Sequence, residues 1–69
     1  MNDREYLKSV GCKIRLARNN KGLTLKQLEK MTGIHYSSLP EIENGKRNFN
    51  ILTVKKIADS LGTNIKEFL

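Results

Sequence analysis

Residues 25–44 read LKQLEKMTGIHYSSLPEIEN, and the way this stretch folds governs everything around it. Leu25 and Leu28, with Met31 one step further, recur at threes and give one short helix an apolar side facing inward. Gly33 stops that helix. Leu39 and Ile42 repeat the step in a second short segment, which ends at Asn44-Gly45. Thr32-Gly33-Ile34-His35 lies between the two and leaves room only for a tight turn, where Gly33 suits a positive φ. Ahead of the first helix, Thr24 and Gln27 form a Thr-x-x-Gln capping box, whose hydroxyl and amide satisfy two unpaired amides at a helix start.

The same spacing continues on both sides. Leu7, Val10, Ile14 and Ala17 form one stripe of an earlier helix, with Lys8, Lys13, Arg15 and Arg18 around it. Asn19-Asn20-Lys21-Gly22 brings that helix to an end near Asn20. Downstream, Asn50 caps a fourth helix with Val54, Ile57, Ala58 and Leu61 inside, Lys55 and Lys56 outside, and Gly62 as its stop. Asn64-Ile65-Lys66-Glu67 is a second capping box and predicts a short fifth helix carrying Ile65, Phe68 and Leu69. No segment shows the sustained alternation of a strand. The expected fold class is all-α, five helices in one domain over residues 1–69.

At 69 residues the chain sits near the size where one core only just outweighs chain entropy. Hydrophobic residues make up 38%, too many for a disordered chain, yet no apolar run exceeds three residues. A membrane span and a signal-peptide core are therefore excluded. The one cysteine, Cys12, rules out an internal disulfide, and with one histidine it cannot build a zinc site. Neither metal nor cofactor is expected, and the chain reads as cytoplasmic. An enzyme is not expected either: there is no phosphate loop, nucleophile elbow or metal motif, and His35 lacks a catalytic partner. Thirteen Lys and Arg against seven Asp and Glu give a net charge of +6, which points to an anionic partner.

Two short helices about a glycine turn have the geometry of a helix-turn-helix, whose second helix lies in the DNA major groove while the first crosses the backbone. Lys13-Ile-Arg-Leu-Ala-Arg18, Lys21-Gly-Leu-Thr-Leu-Lys-Gln-Leu28, Gly33-Ile-His, Ile42-Glu-Asn-Gly-Lys-Arg-Asn48 and Lys56-Ile-Ala-Asp-Ser-Leu-Gly62 carry a resemblance. In order and spacing they resemble the phage repressor and Cro type of helix-turn-helix, the XRE family, over residues 10–69. The resemblance implies a compact five-helix lambda-repressor-like domain with helices 2 and 3 as the helix-turn-helix, about residues 25–44. It also implies a sequence-specific, double-stranded DNA-binding transcriptional regulator, of repressor or controller type, bound as a weak homodimer to a two-fold symmetric operator. Leu25–Thr32 then becomes the positioning helix and Tyr36–Asn44 the recognition helix. Tyr36, Ser37 and Glu41 match base-reading positions, Ser38 reaches a base or a phosphate, and Lys46 and Arg47 match a phosphate-contacting loop. Arg18 is expected opposite Glu43 as a buried ion pair that locks the recognition helix in place.

Four positions depart from the family pattern. Pro40 falls inside the expected recognition helix, although Ser38-Leu39-Pro40-Glu41 is itself a capping box that lets the regular helix begin as late as Ser38. Glu41 is acidic where it faces DNA; it can accept from cytosine N4 but is repelled by phosphate. Leu25 replaces a polar, phosphate-touching residue. Glu29 stands where the family usually has Ala, so it must reach solvent or pair with a cation. His35 reads as a turn residue near the helix cap, and Cys12 as a half-buried small residue. Helix 5 with the end of helix 4, around Phe68 and Leu69, is the expected dimer surface. Two rivals remain open at this stage: a protein-interaction module such as an antitoxin on the same fold, and non-specific nucleic-acid binding through charge alone.

Overall fold

Asp3–Asn20 winds into one long helix, α1, with Asp3 and Glu5 in its first turn and Arg18 in its last, the charge order that suits a helix dipole. The computed structural model describes residues 3–69. Three further α-helices follow: α2 (Leu25–Thr32), α3 (Leu39–Glu43) and α4 (Ile51–Ser60), then a single 3-10 turn over Ile65–Glu67. There is no strand among the described residues. α1 packs on α3, α2 on α4, and the 3-10 turn on α4.

Local chemistry accounts for most boundaries. The Thr24 hydroxyl accepts from Gln27 N–H at 3.1 Å, and Thr24 N–H donates to Gln27 Oε1 at 2.8 Å, so the capping box at α2 is complete. Asn50 Oδ1 accepts from Thr53 N–H at 2.9 Å and opens α4. At the end of α2 the Thr32 hydroxyl donates to Leu28 C=O at 2.8 Å and accepts from Ile34 N–H at 3.1 Å, carrying the chain into the turn.

Several sequence expectations need correction. The second helix of the pair does not start at Tyr36 but at Leu39, leaving residues 36–38 as a turn. Pro40 is the cause. It has no N–H to give the Tyr36 carbonyl, and its ring would strike that carbonyl in a regular helix, so it is accommodated only in the first turn. Nor does the Ser38–Glu41 capping box form: Ser38 has helical backbone angles and makes no side-chain cap. The fifth helix is likewise a 3-10 turn. Asn64 Oδ1 accepts from Lys66 N–H, while Glu67 N–H donates to the Asn64 backbone carbonyl, so the segment closes through i→i+3 bonds. So short a piece cannot support the α ladder, whose first turn is the unfavourable step.

The core is built from Val10 and Ile14 of α1, Leu28 of α2, Leu39 and Ile42 of α3, and Val54, Ile57 and Ala58 of α4, closed by Leu61 and Phe68. Leu25, Ile34, Phe49 and Ile65 pack partly buried against it. Met31, expected inward, is exposed, and the buried residues of α2 are Leu28 and Thr32.

α1 and the end of α3 approach each other closely along their backbones. A β-carbon built on Gly11 would meet the carbonyl oxygens of Ile42 and Glu43, the latter at 2.5 Å. One built on Gly45 would come within 2.6 Å of Lys8 Cα, and Gly45 itself holds φ at 69°. Neither site admits any other residue while the helices stay at this distance. Gly11→Ala therefore sets two effects against each other. Helix propensity alone would stabilise α1 by about 0.5–1 kcal/mol; forcing α1 off α3 should cost about 1–3 kcal/mol or more. The close contact predicts net destabilisation in urea unfolding, and a variant more stable than wild type would refute it.

Candidate nucleic-acid interface

Arg18 lies in the last turn of α1, where the helix axis aims its guanidinium at the end of α3. Its Nε donates to Glu43 Oε2 at 2.7 Å and its Nη2 to Glu43 Oε1 at 3.1 Å, a two-pronged bond between fork and carboxylate. Its Nη1 donates to the Leu23 carbonyl at 2.8 Å, in the connection that enters α2. The pair is buried, with 12% of the arginine side chain and 4% of the glutamate exposed. One cation thus joins α1, the start of α2 and α3.

With Leu39, Ile42 and Glu43 turned inward, α3 shows its other side to solvent. Glu41 is exposed there, and Tyr36 and Ser37 are exposed on the turn just before it. Ser38 is half-buried, and its hydroxyl oxygen accepts from Arg47 Nη1 at 2.9 Å. Arg47 Nη1 also stands 3.7 Å from Glu41 Oε1. Ser38, Glu41 and Arg47 therefore form one cluster, and the carboxylate that would repel a phosphate has a cation beside it. Both ends of that pair are about half exposed, so it contributes roughly 0–1 kcal/mol. Lys46 is exposed just after α3. Its backbone N–H closes α3 on Glu41 C=O at 2.9 Å, and it lines a surface depression together with Arg4, Glu5, Lys8 and Asn44.

A second cluster surrounds Tyr36. Glu29 Oε2 accepts from Tyr36 N–H at 3.2 Å and lies 3.9 Å from His35 Nε2. His35 Nδ1 accepts from Ser37 N–H at 3.1 Å and sits 2.7 Å from Ser37 Oγ. The rings of His35 and Tyr36 stack with centroids 4.7 Å apart, and Lys26 Nζ is 4.9 Å from the Tyr36 ring centroid.

Sequence reasoning missed Lys26, Arg4 and Lys8 beside this surface, and the part taken by Glu29. Arg4 and Lys8 are four apart on one helix, a spacing that puts both on one side of α1. No comparable signal exists for Glu29, whose partner is a backbone amide seven residues on.

Residues 14–68 match the helix-turn-helix family model. The chain belongs to the XRE-type helix-turn-helix family. It is similar to the uncharacterized HTH-type transcriptional regulator y4dJ of Sinorhizobium fredii, with 32% identity over 62 residues, 90% of this chain and 80% of the relative. Among solved structures it is similar to the restriction-modification controller protein C.AhdI from Aeromonas hydrophila. That likeness has a TM-score of 0.87 and 28% identity, covering 91% of this chain and 96% of the other. The S. venezulae BldD DNA-binding domain matches with a TM-score of 0.85 and 28% identity, covering 94% and 97%. Family membership agrees with an all-helical fold in which, among the described residues, no helix is long and apolar enough to cross a membrane.

Removing one partner of a buried pair strands the other charge. Arg18→Met and Glu43→Leu should each cost roughly 3–5 kcal/mol, with most of the loss recovered in the double variant. Chemical denaturation of all four proteins completes the cycle, and small additive losses would contradict a tightly coupled pair.

Proposed function

We propose that this chain is a DNA-binding transcription regulator in which α2 and α3 act as the helix-turn-helix. In this reading α2 crosses the phosphate backbone while α3 and the turn before it enter the major groove. Tyr36, Ser37 and Glu41 face base edges; Ser38, whose oxygen accepts from Arg47, keeps its own O–H to donate. Lys46 and Arg47 hold phosphates. The observation that carries the reading is an exposed polar surface of Tyr36, Ser37 and Glu41 with Arg47 against Ser38 and Glu41 and Lys26 over the Tyr36 ring, its helix tied to α1 by the buried Arg18–Glu43 pair. Polar groups at such a surface suit base edges, and flanking cations suit the sequence-independent backbone. The likeness to a restriction-modification controller and to a domain described as DNA-binding supports the same class.

Two copies on a two-fold symmetric operator complete the proposal. The longest axis of the domain is 31 Å, close to one duplex turn of roughly 34 Å. Two recognition helices read the same face of the duplex when their half-sites lie about one turn apart. Selection of bound duplexes from a random pool tests both parts: a two-fold symmetric consensus is expected, and absence of any consensus would overturn base readout.

Binding should also weaken steeply with salt, with a log–log slope of several units. Lys46→Ala should lower affinity for all duplexes nearly alike and reduce that slope by about one, whereas Tyr36→Ala should relax preference at one operator position by about 1–3 kcal/mol. Titrations of selected and random duplexes over a salt series separate the two, and a flat salt response would exclude DNA as the main partner.

A further inference from the structure

The turn at residues 36–38 lies outside any helix, and its exposed Tyr36 and Ser37 are both assigned to base readout. What fixes its shape is visible in where its amides go. Tyr36 N–H donates to Glu29 Oε2, Ser37 N–H to His35 Nδ1, and both Ser38 N–H and Leu39 N–H to the His35 carbonyl at 2.9 and 3.3 Å. Four consecutive amides are thus satisfied, three of them by His35. Its backbone oxygen accepts from the amides three and four residues on while its side chain accepts from the amide two residues on, so one residue closes the turn that leads into α3. Ser38, next to α3, makes no side-chain cap.

An imidazole in this place supplies something a hydroxyl or carboxamide lacks. Its flat face stacks on Tyr36, whose ring also lies beneath the Lys26 ammonium. The ring of Tyr36 is therefore restrained by His35 and Lys26 while its backbone is restrained by Glu29. Both rings remain substantially exposed, so this order comes from the local contacts rather than from core burial.

We propose that His35 and Glu29 are positioning residues for base readout: without touching a base, they hold Tyr36 and Ser37 in the conformation that gives the protein its sequence preference. This rests on the DNA-binding reading above. Affinity for a random duplex comes mainly from contacts to the phosphate backbone, whereas preference for one sequence depends on where Tyr36 and Ser37 point.

The test uses the full chain with His35→Ala, Glu29→Ala and His35→Asn, each first shown folded by circular dichroism at the assay temperature. The readout is the ratio of affinities for the wild-type-selected duplex and a random-sequence duplex at one salt concentration. His35→Ala and Glu29→Ala should each lower this ratio roughly five- to hundred-fold, in the range of a lost base contact. His35→Asn keeps a side-chain acceptor in the turn and should restore most of the ratio lost in His35→Ala. Should His35→Ala fail to fold, Glu29→Ala carries the same measurement. A folded alanine variant that keeps the wild-type ratio overturns the proposal and leaves the DNA-binding reading intact. A wild-type protein that selects no consensus overturns both.

Discussion

Arg18 is the point on which the geometry of this domain turns. Its guanidinium uses Nε and Nη2 on Glu43 and Nη1 on the Leu23 carbonyl, so three segments separated in sequence meet at one planar group. Taking two charges out of water is unfavourable, and their attraction offsets this only when the geometry is good and the remaining donors find partners. The fork meets both conditions: both carboxylate oxygens are engaged, and no buried side-chain nitrogen or oxygen among the described residues lacks a partner. The interaction is directional as well. A lysine would keep the charge but lose the planar registry between α1 and α3.

The glycine contacts lie alongside this pair. Gly11 faces the carbonyls of Ile42 and Glu43, and Gly45 faces the backbone of Lys8, so α1 and the end of α3 touch along their main chains. A side chain at either glycine would move Glu43 relative to Arg18. Charge and steric fit thus impose the same spacing. This matters because α3 has only five residues, far below the length at which a helix stands alone. Its helicity comes from the burial of Leu39, Ile42 and Glu43 against the rest of the domain. A face held that firmly on the inside is rigidly presented on the outside, where Glu41 and the preceding turn lie.

The exposed side is less uniform than a net charge of +6 suggests. Arg47 is engaged with Ser38 and Glu41, Lys26 lies over Tyr36, and Lys55 pairs with Asp59 one turn along α4. Such exposed pairs add little stability. Their effect is on placement: they set where cationic groups sit before any anion arrives, and they reduce the number of rotamers to be ordered on binding.

How much of this was legible in the sequence follows from range. The cap residues Thr24 and Asn50, the glycine stops, and the core positions from Val10 to Leu61 depend on neighbours three or four residues away, and periodicity reports such neighbours directly. The resemblance to a known family set Arg18 against Glu43 and singled out Tyr36, Ser37, Ser38, Glu41, Lys46 and Arg47. The start of α3 was misread because the resemblance carried the helix back to Tyr36, whereas Pro40 is tolerated only in a first turn and so holds the start at Leu39. Gly11 against Ile42 and Arg18 against Leu23 were not legible at all. Nor was the carboxylate of Glu29 on the Tyr36 amide, which spans a turn whose path no periodic pattern describes. The sequence by itself determined where α1, α2 and α4 form and which of their positions are core, since those follow from short-range bonding and spacing. Tertiary structure alone decided how closely α1 approaches α3 and which buried or exposed groups the turn borrows as partners, because those depend on distances between segments far apart along the chain.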